Sequence, residues 1–389
     1  MVPGLALFYG GMSRSKNMLN MLMMNMICLG IVPLFWIVIG YSLSSTGTNQ
    51  FIGSFDAFFL ADIARDDYRD IFFALTFASI TPALISGAVA DRMKFSAWVV
   101  FVPVWMLLVF VPAWAWVFRF ADEESGFEGG FLVSRGSLDF AGGTVVHVAA
   151  GAASLALVLV LGKRRGWPTE PMAPHNLTFT MLGAGILWFG WFGFNAGSAF
   201  AADGVAIQAF ANTFTAGAMG MLGWLLAERI IDGHATSLGA ASGIVAGLVG
   251  ITPGAGFMGI HGAMAVGLAA GAVCALAVRL KFRFGYDDAL DVVGVHMVGG
   301  LIGGVLIGFF ASPSALLADG AFDGGLVEGD GAGLLLEQIF ANVVVGVFSF
   351  AMTYAIAYTL NATMGIRSTV EEELEGLDLS YHVEQAYNS

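Results

Sequence analysis

The chain has 389 residues, of which 57% are hydrophobic and only 12% charged. A soluble domain averages roughly 25% charged residues, so this is an integral membrane protein. The net charge of −13 leaves no basic stripe to neutralise phosphates, which argues against nucleic acid as a partner. The 53 glycines lie within apolar runs, where they favour close helix packing in lipid rather than disorder. Cys28 and Cys274 also fall inside apolar segments and read as small buried hydrophobes, not as a disulfide or a metal site.

No basic stretch precedes the first apolar run, so no cleavable signal peptide is expected. That run, Val2 to Tyr9, is about a third of the ~20 residues a spanning helix needs, so the chain is expected to start inside its first helix. Eleven apolar segments follow one another near 1–11, 18–43, 71–90, 95–117, 140–161, 177–200, 206–227, 237–252, 259–280, 290–311 and 333–360. Lengths near twenty residues point to helices rather than core strands, and the Gly-rich eighth segment is short.

The basic residues set the expected topology. Arg14, Lys16, Arg92, Lys94, Lys163, Arg164, Arg165, Arg229, Arg279, Lys281, Arg283 and Arg367 all follow or flank the ends of odd-numbered segments. The remaining four, Arg65, Arg69, Arg119 and Arg135, sit in loops crowded with acids such as Asp66, Asp67, Glu123 and Glu124. The positive-inside rule therefore makes the odd-numbered loops cytoplasmic, with the amino terminus outside and the carboxyl tail inside the cell (plasma or inner) membrane. Phe51 to Asp70 and Leu316 to Glu328 read as external loops. The expected organisation is a transmembrane domain over 1–360 and a tail over 361–389. For the acidic tail, composition leaves two readings open, a solvated and partly disordered end or an ordered regulatory one.

Two stretches carry the chemistry, Asp139 to Gly151 and Asp288 to Gly300. In each, a histidine (His147, His296) stands eight residues after an aspartate, and a glycine (Gly151, Gly300) stands four residues after the histidine. A lone buried histidine is ordinarily a hydrogen-bonded packing residue, but an ionisable ring inside an apolar span is a functional candidate. Two in matching contexts predict a structural repeat with a shared site between its halves. If segments one to five and six to ten are inverted repeats, His147 and His296 approach each other, and facing imidazoles can share a proton between ring nitrogens. Asp139 and Asp288 are expected to cap their helices, and Asp139, at the external mouth, also to favour cations there. His175, His234, His261 and His382 default to surface roles.

A metal site needs three or four ligands, and neither histidine has a carboxylate or thiol close to it in its segment, so no metal is expected. Gly254 to Gly259 fits the dinucleotide pattern GxGxxG without the strand–turn–helix context it needs, and reads as a turn between the eighth and ninth segments. No Ser–His–Asp, Cys–His or phosphate-loop arrangement is present, so neither enzyme activity nor a cofactor is expected.

The segments resemble the ammonium transporter family (the Amt/Mep/Rh superfamily), and its microbial and plant Amt branch in particular. The matching stretches are Gly4 to Gly11, Asp139 to His147, Trp188 to Ser198, Gly239 to Gly250, Asp291 to His296 and, in the tail, Glu375 to Asp378. The resemblance implies an all-α membrane protein of eleven transmembrane helices, the first truncated at its start. Two inverted five-helix repeats would surround a central pore, with a final helix added, one pore per protomer of a homotrimer. It places the paired phenylalanines that close the outer pore on Phe77 and Phe194, and the twin pore histidines on His147 and His296. External ammonium recruitment falls on Ser198 and on an aromatic face that is usually tryptophan but here is Phe118.

Ammonium, ammonia and methylammonium are the implied substrates, and the tail motif at Gly376 to Asp378 implies regulation, in many prokaryotic members through a P-II signal protein at the cytoplasmic mouth. Because phenylalanine is a weaker cation–π partner than tryptophan, external recruitment is expected to be weaker unless Trp114 or Trp116 compensates. Three alternatives compete with transport: an ammonium sensor of the same fold, a channel for carbon dioxide, water or potassium, and an intramembrane metalloenzyme. A potassium filter would need rings of backbone carbonyls, for which no signature is present.

Overall fold

A computed structural model describes residues 1–313 and 322–387. Of the loop expected over 316–328, residues 316–321 lie outside the described residues. The described chain is helical, with only isolated β-bridges. Each apolar segment becomes one helix: α1 (Val2–Met12), α2 (Ser15–Ser45), α3 (Arg65–Ile85), α4 (Phe95–Phe118), α5 (Gly143–Leu161), α6 (Leu177–Ala199), α7 (Gly204–Ile231), α8 (Ser237–Ile251), α9 (Ile260–Phe284), α10 (Val293–Phe310) and α11 (Gly333–Thr363). Among the described residues, nine of these are long and apolar enough to cross a membrane, and α1 and α8 are shorter. Polar residues start several of them. Asn176, Asp203 and Thr236 accept from the N–H groups of Phe179, Ala206 and Gly239, satisfying donors that a helix cannot pair internally.

Four spans contain a widened π-helical turn: Trp36–Gly40, Met106–Phe110, Gly143–Val148 and Val293–Met297. The first two begin three residues after Pro33 and Pro103, whose missing N–H interrupts the hydrogen-bond ladder. The last two hold His147 and His296. Such turns rotate the residues that follow and are frequent at functional sites.

The helix ends divide into a basic end and an opposite, acid-rich end. At the basic end a buried ion network ties distant loops together. Arg164 donates to both oxygens of Asp287, the closer at 2.8 Å, and lies 3.8 Å from Asp91, which Arg14 also meets at 3.0 Å. Burial raises the Asp287 carboxyl, but hydrogen bonds and charge from Arg164 and Arg92 outweigh it and hold the group below its usual range.

Over the described residues the tail is helical rather than partly disordered. α12 (Val370–Glu375) begins with a capping box between Thr369 and Glu372, and α13 (Leu377–His382) follows directly. The buried Asp378 carboxylate accepts from the N–H groups of Leu19 and Asn20 at 3.0 and 2.7 Å, capping the start of α2. The Leu377 N–H donates to Asn17, and Arg367 pairs with Glu373 at 2.7 Å. Two of the histidines expected at the surface also hold this docking. His175 bridges the Ser13 carbonyl and the Tyr387 hydroxyl, and His382 contacts Asn20.

Candidate functional site

The starts of α5 and α10 repeat one local design, 149 residues apart. The Asp139 carboxylate accepts from Gly142, Gly143, Thr144 and Val145 at 2.7–3.4 Å. Asp288 accepts from Val292 and Val293 at 3.1 and 2.7 Å. Both aspartates therefore cap, as expected. Three residues after each, the backbone turns left-handed, at Gly142 (φ 95°) and Asp291 (φ 66°). Glycine adopts that conformation freely, and aspartate is among the few other residues that tolerate it. The π turn follows, carrying the histidine inward.

The glycines four residues on let the two helices cross. A Cβ on Gly151 would lie 2.4 Å from the backbone nitrogen of Met297, the residue after His296. A Cβ on Gly300 would lie 2.8 Å from the carbonyl oxygen of Gly143 and 3.2 Å from the Cβ of His147. Each glycine thus makes room for the other helix's widened turn, and the two rings meet. The Nδ1 atoms of His147 and His296 are 3.2 Å apart, with ring planes inclined by 18°. Both residues are buried.

The neighbours order the protons. The Tyr9 hydroxyl donates to the Leu84 carbonyl at 3.1 Å and lies 3.5 Å from His296 Nε2. With that hydroxyl hydrogen committed, the matching tautomer of His296 carries its proton on Nε2, toward the Tyr9 oxygen. His296 Nδ1 is then the acceptor of His147 Nδ1–H, which leaves His147 Nε2 as a bare lone pair. Among the described residues that atom is buried and has no partner.

The remaining walls are apolar. A lumen of ≈ 10 Å³, bounded by Leu5, Ile80, Leu84, Leu187, Val245 and the two imidazoles, has room for about one water-sized molecule. Trp191 stacks on His147 with centroids 5.5 Å apart and is fixed by a hydrogen bond from its indole nitrogen to Thr252. At one end the lumen stops at Phe194, which stacks on Phe77 at 4.3 Å and 29°.

Beyond Phe77 opens a vestibule of ≈ 640 Å³ at the acid-rich end, and Phe118, Ser198 and Asp139 all line it. Ser198 spends its proton on the Phe194 carbonyl at 2.9 Å, so its oxygen lone pairs remain to accept. Trp114 also lines the vestibule and packs on Phe118 at 4.5 Å, whereas Trp116 is tied to the Phe51 carbonyl and packs on Phe348. Of the two tryptophans considered as substitutes for the aromatic face, Trp114 is the one in position.

Every residue expected at the site thus falls on one path: vestibule, phenyl pair, histidine pair. Sequence reasoning missed Tyr9, Trp191 and the vestibule residues Arg69 and Phe200, and named Trp114 only as one of two substitutes. The signal for the first two was present, since both lie within the stretches Gly4 to Gly11 and Trp188 to Ser198. Among the described residues, no three His, Cys, Asp or Glu side chains converge as a metal site would require. Gly254 to Gly259 forms the connection between α8 and α9, and its Phe257 lines the vestibule.

Comparison with known proteins agrees along the whole length. The model of the Ammonium Transporter Family matches residues 1–387. The ammonium transporter of Mycobacterium bovis is 47% identical over 416 aligned positions, covering 100% of this chain and 87% of that protein. The crystal structure of Saccharomyces cerevisiae Mep2 superimposes with a TM-score of 0.87 at 35% identity, covering 95% of this chain and 84% of that one. A structure described as a sensor Amt protein superimposes with a TM-score of 0.88 at 27% identity, covering 97% and 93%.

Proposed function

Since the chain belongs to the ammonium transporter family, we propose that it recruits NH4+ in the vestibule, strips one proton there, and conducts NH3 past His147 and His296. The observation that carries this reading is the stacked Phe77–Phe194 pair set directly against two imidazoles 3.2 Å apart in a lumen of ≈ 10 Å³. Carrying an intact cation through such walls forfeits its hydration, at a cost of several kcal/mol. Ammonium escapes the penalty by losing a proton, whereas Na+ and K+ have none to lose. Selectivity then follows from acid–base chemistry rather than from size alone.

The roles divide by position. Phe118 and Trp114 offer aromatic faces to the cation, the Ser198 oxygen accepts a hydrogen bond from it, and Asp139 adds negative charge at the mouth. Phe77 and Phe194 admit the neutral molecule. The unpartnered Nε2 of His147 accepts a hydrogen bond from NH3, and the shared Nδ1 proton holds both rings in register. The vestibule faces the exterior and the basic end the cytoplasm, in keeping with the distribution of Lys and Arg. Residues 361–389 are the regulatory tail at the cytoplasmic mouth, where a P-II signal protein would dock, and the working unit is a homotrimer.

Charge-displacement recording on proteoliposomes tests the reading. Pulses of ammonium or methylammonium are expected to give a transient current that potassium does not, and His147→Ala is expected to abolish it. An equal current with potassium overturns the mechanism. Internal alkalinisation without current would assign net NH3 conduction. A second reading, an ammonium sensor with little transport, draws on the similarity to the sensor Amt structure, and silence in both signals with binding intact would select it.

A further inference from the structure

The vestibule has a second aromatic row. One row runs from Phe118 through Trp114 to Phe77, with centroids 4.5 and 5.7 Å apart. The other runs from Phe200 through Phe73 to Phe77, at 4.9 and 5.1 Å. Both rows converge on the same gate ring, and both terminal rings line the vestibule. They differ in what covers them. Among the described residues no cationic side chain lies over Phe118, whereas the Arg69 guanidinium lies 5.6 Å from the centroid of Phe200.

Arg69 is held there by two hydrogen bonds. Its Nη1 donates to the Phe200 carbonyl at 3.3 Å, and its Nε donates to Asp70 at 2.6 Å. Phe200 itself has a left-handed backbone, φ 54°, which a bulky residue adopts only when its surroundings impose it. Arg69 is the one basic side chain among the described residues that line the vestibule.

We propose that Arg69 sets the apparent affinity for external ammonium. Its guanidinium is a tethered cation that occupies the face of Phe200 and repels an arriving NH4+, while Asp70 cancels part of its charge. The inference rests on the vestibule being the recruitment site. The pair is exposed, with 64% and 54% of the side chains accessible, so its effect is modest and screened by salt.

The test is the half-saturating ammonium concentration of the full-length protein in proteoliposomes, at about 10 mM and about 150 mM ionic strength. Arg69→Gln is expected to lower it about threefold at low ionic strength and less at high. Asp70→Asn is expected to raise it by a similar factor, with the maximal current unchanged in both. Adding Phe200→Leu to Arg69→Gln is expected to reverse part of the gain, because the uncovered face is then lost. No change, or a rise, for Arg69→Gln at low ionic strength overturns the proposal. If that variant fails to fold, an unchanged value for Asp70→Asn overturns it instead. Ser198→Ala separates the two levels: if it weakens half-saturation while Arg69→Gln does nothing, only this inference falls, and if neither moves, the recruitment site falls with it.

Discussion

The starts of α5 and α10 share a design and differ in how it is filled. At α5 the carboxylate of Asp139 collects four backbone N–H groups, a glycine takes the left-handed position, and the surroundings are a wide vestibule. At α10 Asp288 collects two, an aspartate takes the left-handed position and pairs with Lys281 at 2.7 Å, and the neighbouring Asp287 is locked into the ion network of the basic end. The deep part, with its widened turn, histidine and glycine, is nearly the same in both. The path is therefore matched where the two rings meet and specialised where each helix faces its own solvent.

The largest effect is expected from breaking what the two helices share. Gly151→Val would drive its side chain into the backbone of Met297, where no rotamer offers relief, and no monodisperse folded protein should be recovered by size-exclusion chromatography. The same substitution at Gly346, whose nearest neighbour in that position is a side-chain atom at 3.4 Å, should leave the elution profile unchanged.

A smaller effect separates the two caps. Asp139→Ala should destabilise the protein by about 2 kcal/mol and Asp288→Ala by about 1, in proportion to the donors each leaves unpaired. Thermal unfolding in one detergent measures the difference, and equal losses would mean that the surroundings, not the caps, dominate. The smallest effect belongs to the vestibule alone. Phe118→Trp should tighten apparent ammonium affinity by about twofold, since indole binds cations better than phenyl and Trp114 already lies alongside. An unchanged half-saturating concentration would remove Phe118 from the recruiting face.

Much of this was legible in the sequence. Hydrophobic length found α1 to α11, including the two short ones, but not α12 and α13 of the tail. The repeated aspartate–histidine–glycine spacing led to the rings that meet, because periodicity inside a single helix is a local property. What escaped depends on which distant segments become neighbours. The capping of α2 by Asp378 joins residues 359 positions apart, and although the tail motif marks Asp378, nothing in it names the partner. The partner relation of Tyr9 and His296 spans 287 positions. Arg69 looked like one more charge in an acidic loop, and only the close approach of the α6–α7 connection turns it into a vestibule wall. The π turns that hold the two histidines were equally invisible, since no proline marks them and they lie where α5 and α10 meet.

The reciprocal glycine contacts have a kinetic meaning. Backbone packed on backbone at Gly151 and Gly300 leaves α5 and α10 no room to slide or rock at the narrowest section of the path. Sliding α5 on α10 there would press backbone against backbone, whereas the phenyl rings of Phe77 and Phe194 can turn about their own side-chain bonds. Side-chain rotation runs on picoseconds to nanoseconds, whereas helix rocking takes microseconds to milliseconds. On the function proposed above, the barrier a molecule meets would be one of solvation and ring rotation, crossed without turning the protein inside out.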